Sequence, residues 1–353
     1  MKTFTLTLIA SFISLLCLEG AARWLLDPSQ FYSSFHTIPA YNQWRNEVEF
    51  WERYGNGRPE AADPNFDTFD DRLGWDAERT GDRIRGSKVV EPGVVAGSFR
   101  LLAIGDSFVY GTDVEAEENF CAVLGQRVPS IEVLNMGVPG YGIDQAYLKY
   151  LYYGAEYRPD AVVFGIYVSD YERASMNFTW FAKPRIVATT QGFSLENQPV
   201  PAPEVELERI ERTLAGRIRL VDIARNTWRK LSAGDKQRLE FFESMDAVVS
   251  HILQSLKDKL QPDQQLLLVH IPRAESFVER DPFRDEMSQR LLAIYQELEL
   301  THIDLGTAFL ANATPAEVFQ SHYVHRPSGS VGHLSPLGHE KVAILIQSAL
   351  ELH

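Results

Sequence analysis

The sequence predicts an α/β fold: a doubly wound, five-stranded parallel sheet in the order 2-1-3-4-5, with helices on both faces. Two observations carry this expectation. Five short apolar runs, at residues 99–104, 131–136, 161–168, 265–271 and 302–305, have the length of buried parallel strands. Stretches with helical spacing stand between them, which implies right-handed crossovers and helices covering both faces. The chain has 353 residues, 45% of them hydrophobic and 23% charged. That is enough for one large α/β domain, expected over residues 98–353, plus extensions.

Residues 3–18, TFTLTLIASFISLLCL, carry no charge, while Lys2 precedes them and Glu19 and Arg23 follow. This is the form of a signal peptide or of a short N-terminal membrane anchor. Gly20-Ala21-Ala22 lengthen the stretch to about twenty residues, the length of a span. Leu18 and Glu19 interrupt any small-x-small cleavage site. An uncleaved signal anchor over residues 1–27 is therefore expected. The positive N-terminus places the remaining chain on the extracytoplasmic side, the periplasm if the source is bacterial. Leu16, preceding Cys17, speaks against lipid attachment at that cysteine. A buried helix of a cytosolic domain is the other reading.

Residues 28–97 read as an aromatic-rich extension. Tyr41, Trp44, Val48 and Trp51 recur at helical spacing, predicting a helix that packs onto the main domain. Asp63-Pro64 and the run DDRLGW at 70–75 read as turns. From residue 98 the pattern alternates. Helices are expected at 115–128, at 144–157 with Asp144 as N-cap, at 206–231, 235–260 and 281–298, and at 335–352. Residues 171–204 read as a long irregular loop. The helix at 206–231 is basic and amphipathic; its charges read first as a solvated face, with acidic lipid or glycan as the other reading.

The net charge is −14 and no Lys/Arg-rich cluster stands out, so nucleic acid is not an expected partner. Cys17 and Cys121 do not imply a disulfide framework. The glycines of GVPGYG at 137–142 are spaced G-x-x-G-x-G, unlike the dinucleotide fingerprint. The Gly-Asp-Ser at 105–107 lacks the second glycine of the α/β-hydrolase nucleophile elbow, because Val109 stands there. There is no Walker sequence and no zinc-ligand spacing; His322 and His325 read as a surface pair. No cofactor and no metal site are expected.

A different constellation remains. Ser107 follows the first strand, Gly140 the second, and Ser169-Asp170 the third, while His333 precedes the last helix. In the flavodoxin-like order 2-1-3-4-5 all four gather at the carboxyl edge of the sheet, with a switch point beside Ser107. Here the chain resembles the SGNH, or GDSL-type, serine hydrolases. Gly105-Asp106-Ser107 matches their first block. Asn135 to Gly140, NMGVPG, looks like the second, and His333 in GHLSPLGH looks like the last.

The resemblance implies Ser107 as nucleophile and His333 as its base. It implies an oxyanion site from Ser107, Gly140 and Ser169, with Asp106 and Asp170 in support. Two positions depart from the family. Ser169 replaces the asparagine of the third block, and Ser330 and Val331 occupy the places where an aspartate precedes the histidine. With no carboxylate near His333 in sequence, three outcomes stand open: an unaided Ser107–His333 dyad, another group filling in, or a degenerate site. The resemblance implies a membrane-anchored esterase acting on O-acyl groups, in particular O-acetyl, of an extracytoplasmic polysaccharide. A lipid esterase or thioesterase, and a non-catalytic binding or assembly subunit of an envelope polysaccharide system, are the alternatives. Its partners would be the acylated carbohydrate or other ester and the membrane. The oligomeric state is not written in the sequence.

Overall fold

The computed structural model describes residues 2–25, 39–55, 68–77, 83–85, 90–93, 99–232 and 235–353. The expected turn at Asp63-Pro64 and the expected borders at 27/28 and 97/98 lie outside the described residues. The chain falls into two compact units, one of residues 1–63, 178–182 and 201–241, the other of residues 64–177, 183–200 and 242–353.

In chain order, α1 (Lys2–Leu25) and α2 (Pro39–Tyr54) are followed by a small hairpin, β1 (Phe69–Asp70) and β2 (Gly74–Trp75), in place of a plain turn. Then come β3 (Phe99–Ile104), the single helical turn α3 (Ser107–Tyr110), α4 (Phe120–Arg127), β4 (Ile131–Asn135), α5 (Ile143–Lys149), β5 (Ala161–Tyr167) and α6 (Val168–Arg173). A second hairpin, β6 (Arg185–Thr189) and β7 (Gly192–Glu196), precedes α7 (Pro203–Gly216), α8 (Arg219–Ser232) and α9 (Asp235–Lys259). The chain closes with β8 (Gln265–Ile271), α10 (Pro282–Glu297), β9 (His302–Asp304), α11 (Leu305–Leu310), α12 (Pro315–Ser321), β10 (Tyr323–His325), β11 (Val331–Leu334) and α13 (Pro336–Ala349).

The large sheet belongs to the second unit. Its order is β4-β3-β5-β8-β9, every pair parallel, which is the expected 2-1-3-4-5. Side chains alternate across a strand. The odd-numbered residues Leu101, Ala103, Val163, Leu267 and Val269 share one core with Phe120 and Leu124 of α4 and Val342 and Ile346 of α13. The even-numbered Leu102, Val162, Phe164 and Leu268 are equally buried on the other face. Gly105 ends β3 at φ +152°, and a Cβ there would lie 2.4 Å from the Gly165 carbonyl oxygen of β5. Only glycine lets the chain turn out of the sheet at that closeness.

Three expectations need correction. Asp144 does not cap its helix; Gly142 does. Asp144 is instead the second residue of the helix, buried, its carboxylate 2.6 Å from the Lys183 ammonium. The protein interior tolerates that carboxylate because a cation is delivered from elsewhere in the chain. Residues 171–204 are irregular only in part: 171–173 complete α6 and 185–196 form the β6–β7 hairpin. The helix expected at 206–231 is two helices, α7 and α8, separated at Arg217-Ile218.

In the first unit, α2 packs against α7. Val48 is fully buried, and Arg209 of α7 pairs with Glu47 of α2 and with its own Glu206. The Arg217 guanidinium lies 4.1 Å over the Trp44 ring. An 18-residue stretch within Thr5–Leu25 of α1 has mean hydropathy 1.8, and this helix is long and apolar enough to cross a membrane.

Candidate active site

The site grows from the turn after β3. Asp106 caps α3, its Oδ1 accepting the Phe108 N–H at 2.9 Å. That cap fixes Ser107 at the first position of the helical turn, on the carboxyl edge of the central strands. Asn135, at the end of β4, fastens the neighbouring loop to the same turn. Its amide donates to the Val109 carbonyl at 2.8 Å, and its Oδ1 accepts from the Gly137 N–H at 2.9 Å. The Val138-Pro139-Gly140-Tyr141 turn follows, with Gly140 at φ +83° and the Tyr141 N–H donating to the Val138 carbonyl. Proline then glycine at the two central positions is the type II signature.

His333 lies on β11, paired antiparallel with β10. Its Nε2 is 2.8 Å from Ser107 Oγ. Phe108 holds the ring edge-on at 4.8 Å between centroids and itself stacks on Tyr167 at 4.5 Å.

His333 Nδ1 meets Asp113 Oδ2 at 2.9 Å, and the same oxygen accepts the His333 backbone N–H at 3.1 Å. The Arg326 guanidinium also donates to it. No carboxylate neighbours His333 in sequence, yet one stands beside it in space. Of the three outcomes left open, the geometry is that of another group filling in. Val331 is paired opposite His325 in the hairpin and packs against the hydrophobic core. Ser330 hydrogen-bonds to Ser328.

Asp113 reaches His333 by an unusual backbone path. Gly111 and Asp113 both have positive φ, +80° and +74°, a region that Asp tolerates better than most side chains. Arg85 braces the loop, donating to the carbonyls of Tyr110, Gly111 and Val114. Across from it, a Cβ on Gly332 would lie 2.4 Å from Asp113 Oδ2, so the residue before His333 has to lack a side chain.

With Asp113 ionised, the hydrogen on Nδ1 points to the carboxylate, which leaves Nε2 free to accept the Ser107 hydroxyl proton. Burial alone would raise the Asp113 carboxyl. The hydrogen bonds from the His333 ring, Arg326 and the His333 N–H outweigh it and hold the group at about 2.

Behind Ser107 sits a second charge cluster. Asp106 and Asp170 are both buried, and Arg173 Nη1 bridges them at 2.9 and 2.6 Å while donating to the Tyr141 carbonyl at 3.2 Å. Burial, and then the nearby Asp106 charge, push the Asp170 carboxyl well above its ordinary range despite Arg173. Two bare carboxylates against one cation are costly, which is why Asp170 holds its proton more tightly than a free aspartate. Asp106 Oδ2 is also 3.2 Å from Ser107 Oγ, longer than the contact to His333. Asp170 Oδ2 accepts the Tyr167 N–H at 3.0 Å, fixing the start of α6. Ser169 lies on that same turn, partly exposed.

All the residues singled out in the sequence thus lie at one edge: Ser107, His333, Gly140, Ser169, Asp106 and Asp170. Asp113 and Arg173 were missed. Each carries a faint signal. A Gly-Thr-Asp lies one turn beyond the serine, and Asp170 and Arg173 are spaced i, i+3 on one helix face. Two other histidines belong to the framework. His339, in the same GHLSPLGH run, is fully buried. Its Nδ1 accepts the Phe120 N–H at 3.3 Å, and burial pushes it down to about 3. His270 hydrogen-bonds Ser288, and burial likewise lowers it, to about 4. Among the described residues, no group of three or more His, Cys, Asp or Glu side chains is placed to hold a metal.

The sheet order, the Gly-Asp-Ser turn and the His333 strand are arranged as the resemblance to SGNH/GDSL-type hydrolases implies. No family model and no curated protein sequence matches it. Several solved structures are similar. An acetylxylan esterase from Geobacillus stearothermophilus is 18% identical, covering 73% of this chain and 96% of its own, with a TM-score of 0.41. A lipolytic G-D-S-L family protein from Veillonella parvula is 12% identical over 72% and 98%, also at 0.41. TesA is 13% identical over 71% and 98%, at 0.40.

Proposed function

We propose that this chain is a membrane-anchored serine esterase that removes O-acyl groups, in particular O-acetyl, from an extracytoplasmic polysaccharide. The observation that carries the catalytic part is the contact series from Ser107 Oγ to His333 Nε2 and from His333 Nδ1 to Asp113. Ser107 Oγ attacks the ester carbonyl as its proton passes to His333 Nε2. Asp113 stabilises the imidazolium so formed. The oxyanion is received by the N–H groups of Ser107 and Gly140 and by the Ser169 hydroxyl. Collapse expels the sugar oxygen with the proton from His333. Water, deprotonated by the same histidine, then releases the acid and restores Ser107. Asp106 and Asp170, neutralised by Arg173, support the turn that carries the nucleophile.

The anchoring part is supported by the length and apolarity of α1 and by Lys2 ahead of it. The polysaccharide substrate rests on the resemblance and on the acetylxylan esterase among the similar structures. The alternative of a non-catalytic binding subunit drew on the missing aspartate near His333 and on Ser169 in place of the family's asparagine; the Asp113 contact answers the first of these and not the second. Labelling by a fluorophosphonate probe tests the reading. Wild type should label and Ser107→Ala should not, and wild type should release acetate from an acetylated polysaccharide faster than from a lipid ester or thioester. A folded wild type that neither labels nor hydrolyses any ester refutes it.

A further inference from the structure

The basic helix α8 belongs to the same unit as α1 and meets it near Glu19. Among the described residues 9–25 of α1, Glu19 and Ala22 alone are partly covered; the rest are exposed. Glu19 accepts the backbone N–H groups of Arg219 and Leu220 at 2.8 and 3.0 Å, so a carboxylate of α1 caps the first turn of α8. Arg23, paired with Glu19 at 2.7 Å, also donates to the Arg217 carbonyl. The level at which α8 starts is thus fixed by the end of α1.

That level can be placed against a bilayer. The uncharged residues 3–18 rise ~24 Å at 1.5 Å per residue, a little under the ~30 Å of hydrocarbon, which thinning accommodates. Glu19 and Arg23 then mark the outer boundary. Trp24, 85% exposed, and Leu25, 68% exposed, follow at headgroup depth, where interfacial tryptophans concentrate. On α8, Val221 and Trp228 are 46% and 72% exposed, and Ile218 just before it is 53% exposed. Val221, Ala224 and Trp228 are spaced i, i+3 and i+7, one stripe of the helix. The remainder of α8 carries Arg219, Arg225, Arg229 and Lys230 against a single acid, Asp222. In a chain of net charge −14, a helix of net charge +3 at this position is out of keeping with a merely solvated face. An apolar stripe with a tryptophan, flanked by cations, is the composition of a helix lying in a membrane interface.

Resting on the anchor reading of α1, we propose that α8 lies on the outer surface of the membrane. In this arrangement Val221, Ala224 and Trp228 enter the headgroup boundary and Arg219 and Arg225 contact anionic lipid headgroups. The unit containing α1 would then be held to the bilayer by two elements, which restricts its tumbling about the anchor.

The test uses the full chain in nanodiscs of phosphatidylcholine, with and without phosphatidylglycerol, made with or without brominated acyl chains. Wild type is compared with Trp228→Phe and Trp24→Phe, so that difference spectra isolate each indole. In anionic discs the Trp228 component should be blue-shifted and lose about half its intensity to brominated lipid, as for an interfacial indole. Exchanging Arg219, Arg225, Arg229 and Lys230 for Gln should abolish the difference between anionic and neutral discs. Fluorophosphonate labelling of Ser107 should stay unchanged in that variant, which reports that it folds. Quenching of Trp24 without Trp228 overturns the assignment of α8 and leaves the anchor. Quenching of neither overturns the anchor as well. A Trp228 blue shift without quenching, growing with the number of chains per disc, assigns the stripe to a second copy and overturns the proposal. Equal quenching of wild-type Trp228 in neutral and anionic discs overturns the contact with anionic headgroups.

Discussion

Replacing Asp113 by Asn probes the part of the site that sequence left open. Asp113 Oδ2 receives three donors: the His333 ring N–H, the His333 backbone N–H and Arg326. Asn keeps the shape but not the charge. Arg326 and the backbone N–H still demand an acceptor there. An amide that turns its NH2 toward the ring instead selects the tautomer with hydrogen on Nε2, which cannot take the Ser107 proton. A carboxylate-to-amide change in a Ser-His-Asp site lowers kcat by roughly 10⁴, or about 5.4 kcal/mol of transition-state stabilisation at ~1.36 kcal/mol per tenfold. The assay is hydrolysis of p-nitrophenyl acetate, with circular dichroism to confirm the fold and fluorophosphonate labelling as a second rate. Val331→Asp is the companion variant. With Asp113 already on Nδ1, a second carboxylate should bring no gain in turnover. A folded Asp113→Asn protein retaining more than about a tenth of wild-type kcat would refute the role of Asp113, given the size of that precedent. A Val331→Asp protein several times faster than wild type would do the same.

Gly332→Ala places a Cβ 2.4 Å from Asp113 Oδ2; kcat should fall toward the Asp113→Asn level while the melting temperature changes little, and full activity would show that the loop yields. Asp113 also predicts an acid limit. Its folded value of about 2 lies below the ~3.9 of an unfolded aspartate, so its contribution to stability is complete above that value and lost as pH falls through about 2. Thermal melts of wild type and Asp113→Asn should therefore differ by a constant amount above pH 5 and converge between pH 4 and 2. Arg173→Ala removes the only cation shown bridging Asp106 and Asp170; the buried pair then loses compensation, at a cost on the order of 3 kcal/mol or more. Urea melts at pH 7 should report that loss, and lowering the pH toward 5 should recover part of it by protonating a carboxylate.

The strands of this chain are legible in the sequence because a buried parallel strand must be apolar on both faces. The runs at 99–104 and 265–271 end where the structure ends them. Ser107 and His333 are legible for a related reason. Gly105 is demanded by the approach of Gly165, and the Ser335 N-cap with Pro336 marks the start of α13 two residues after His333. These are local constraints, and local constraints leave local signatures. The division of the 206–231 stretch into α7 and α8 left a weaker one, because both halves keep the same apolar period. Asp144 was misplaced as a cap because nothing nearby announces Lys183, thirty-nine residues on.

What the sequence by itself determined is therefore the sheet, its order, and Ser107 and His333 as the proposed nucleophile and base. Tertiary structure alone decided which carboxylate meets His333. Asp113 and His333 are 220 positions apart, and the contact depends on two left-handed residues, a brace from Arg85 and the missing side chain of Gly332. A hydrogen bond needs two groups at one point in space, not at one spacing in the chain. The carboxylate can come from any loop that the fold brings there.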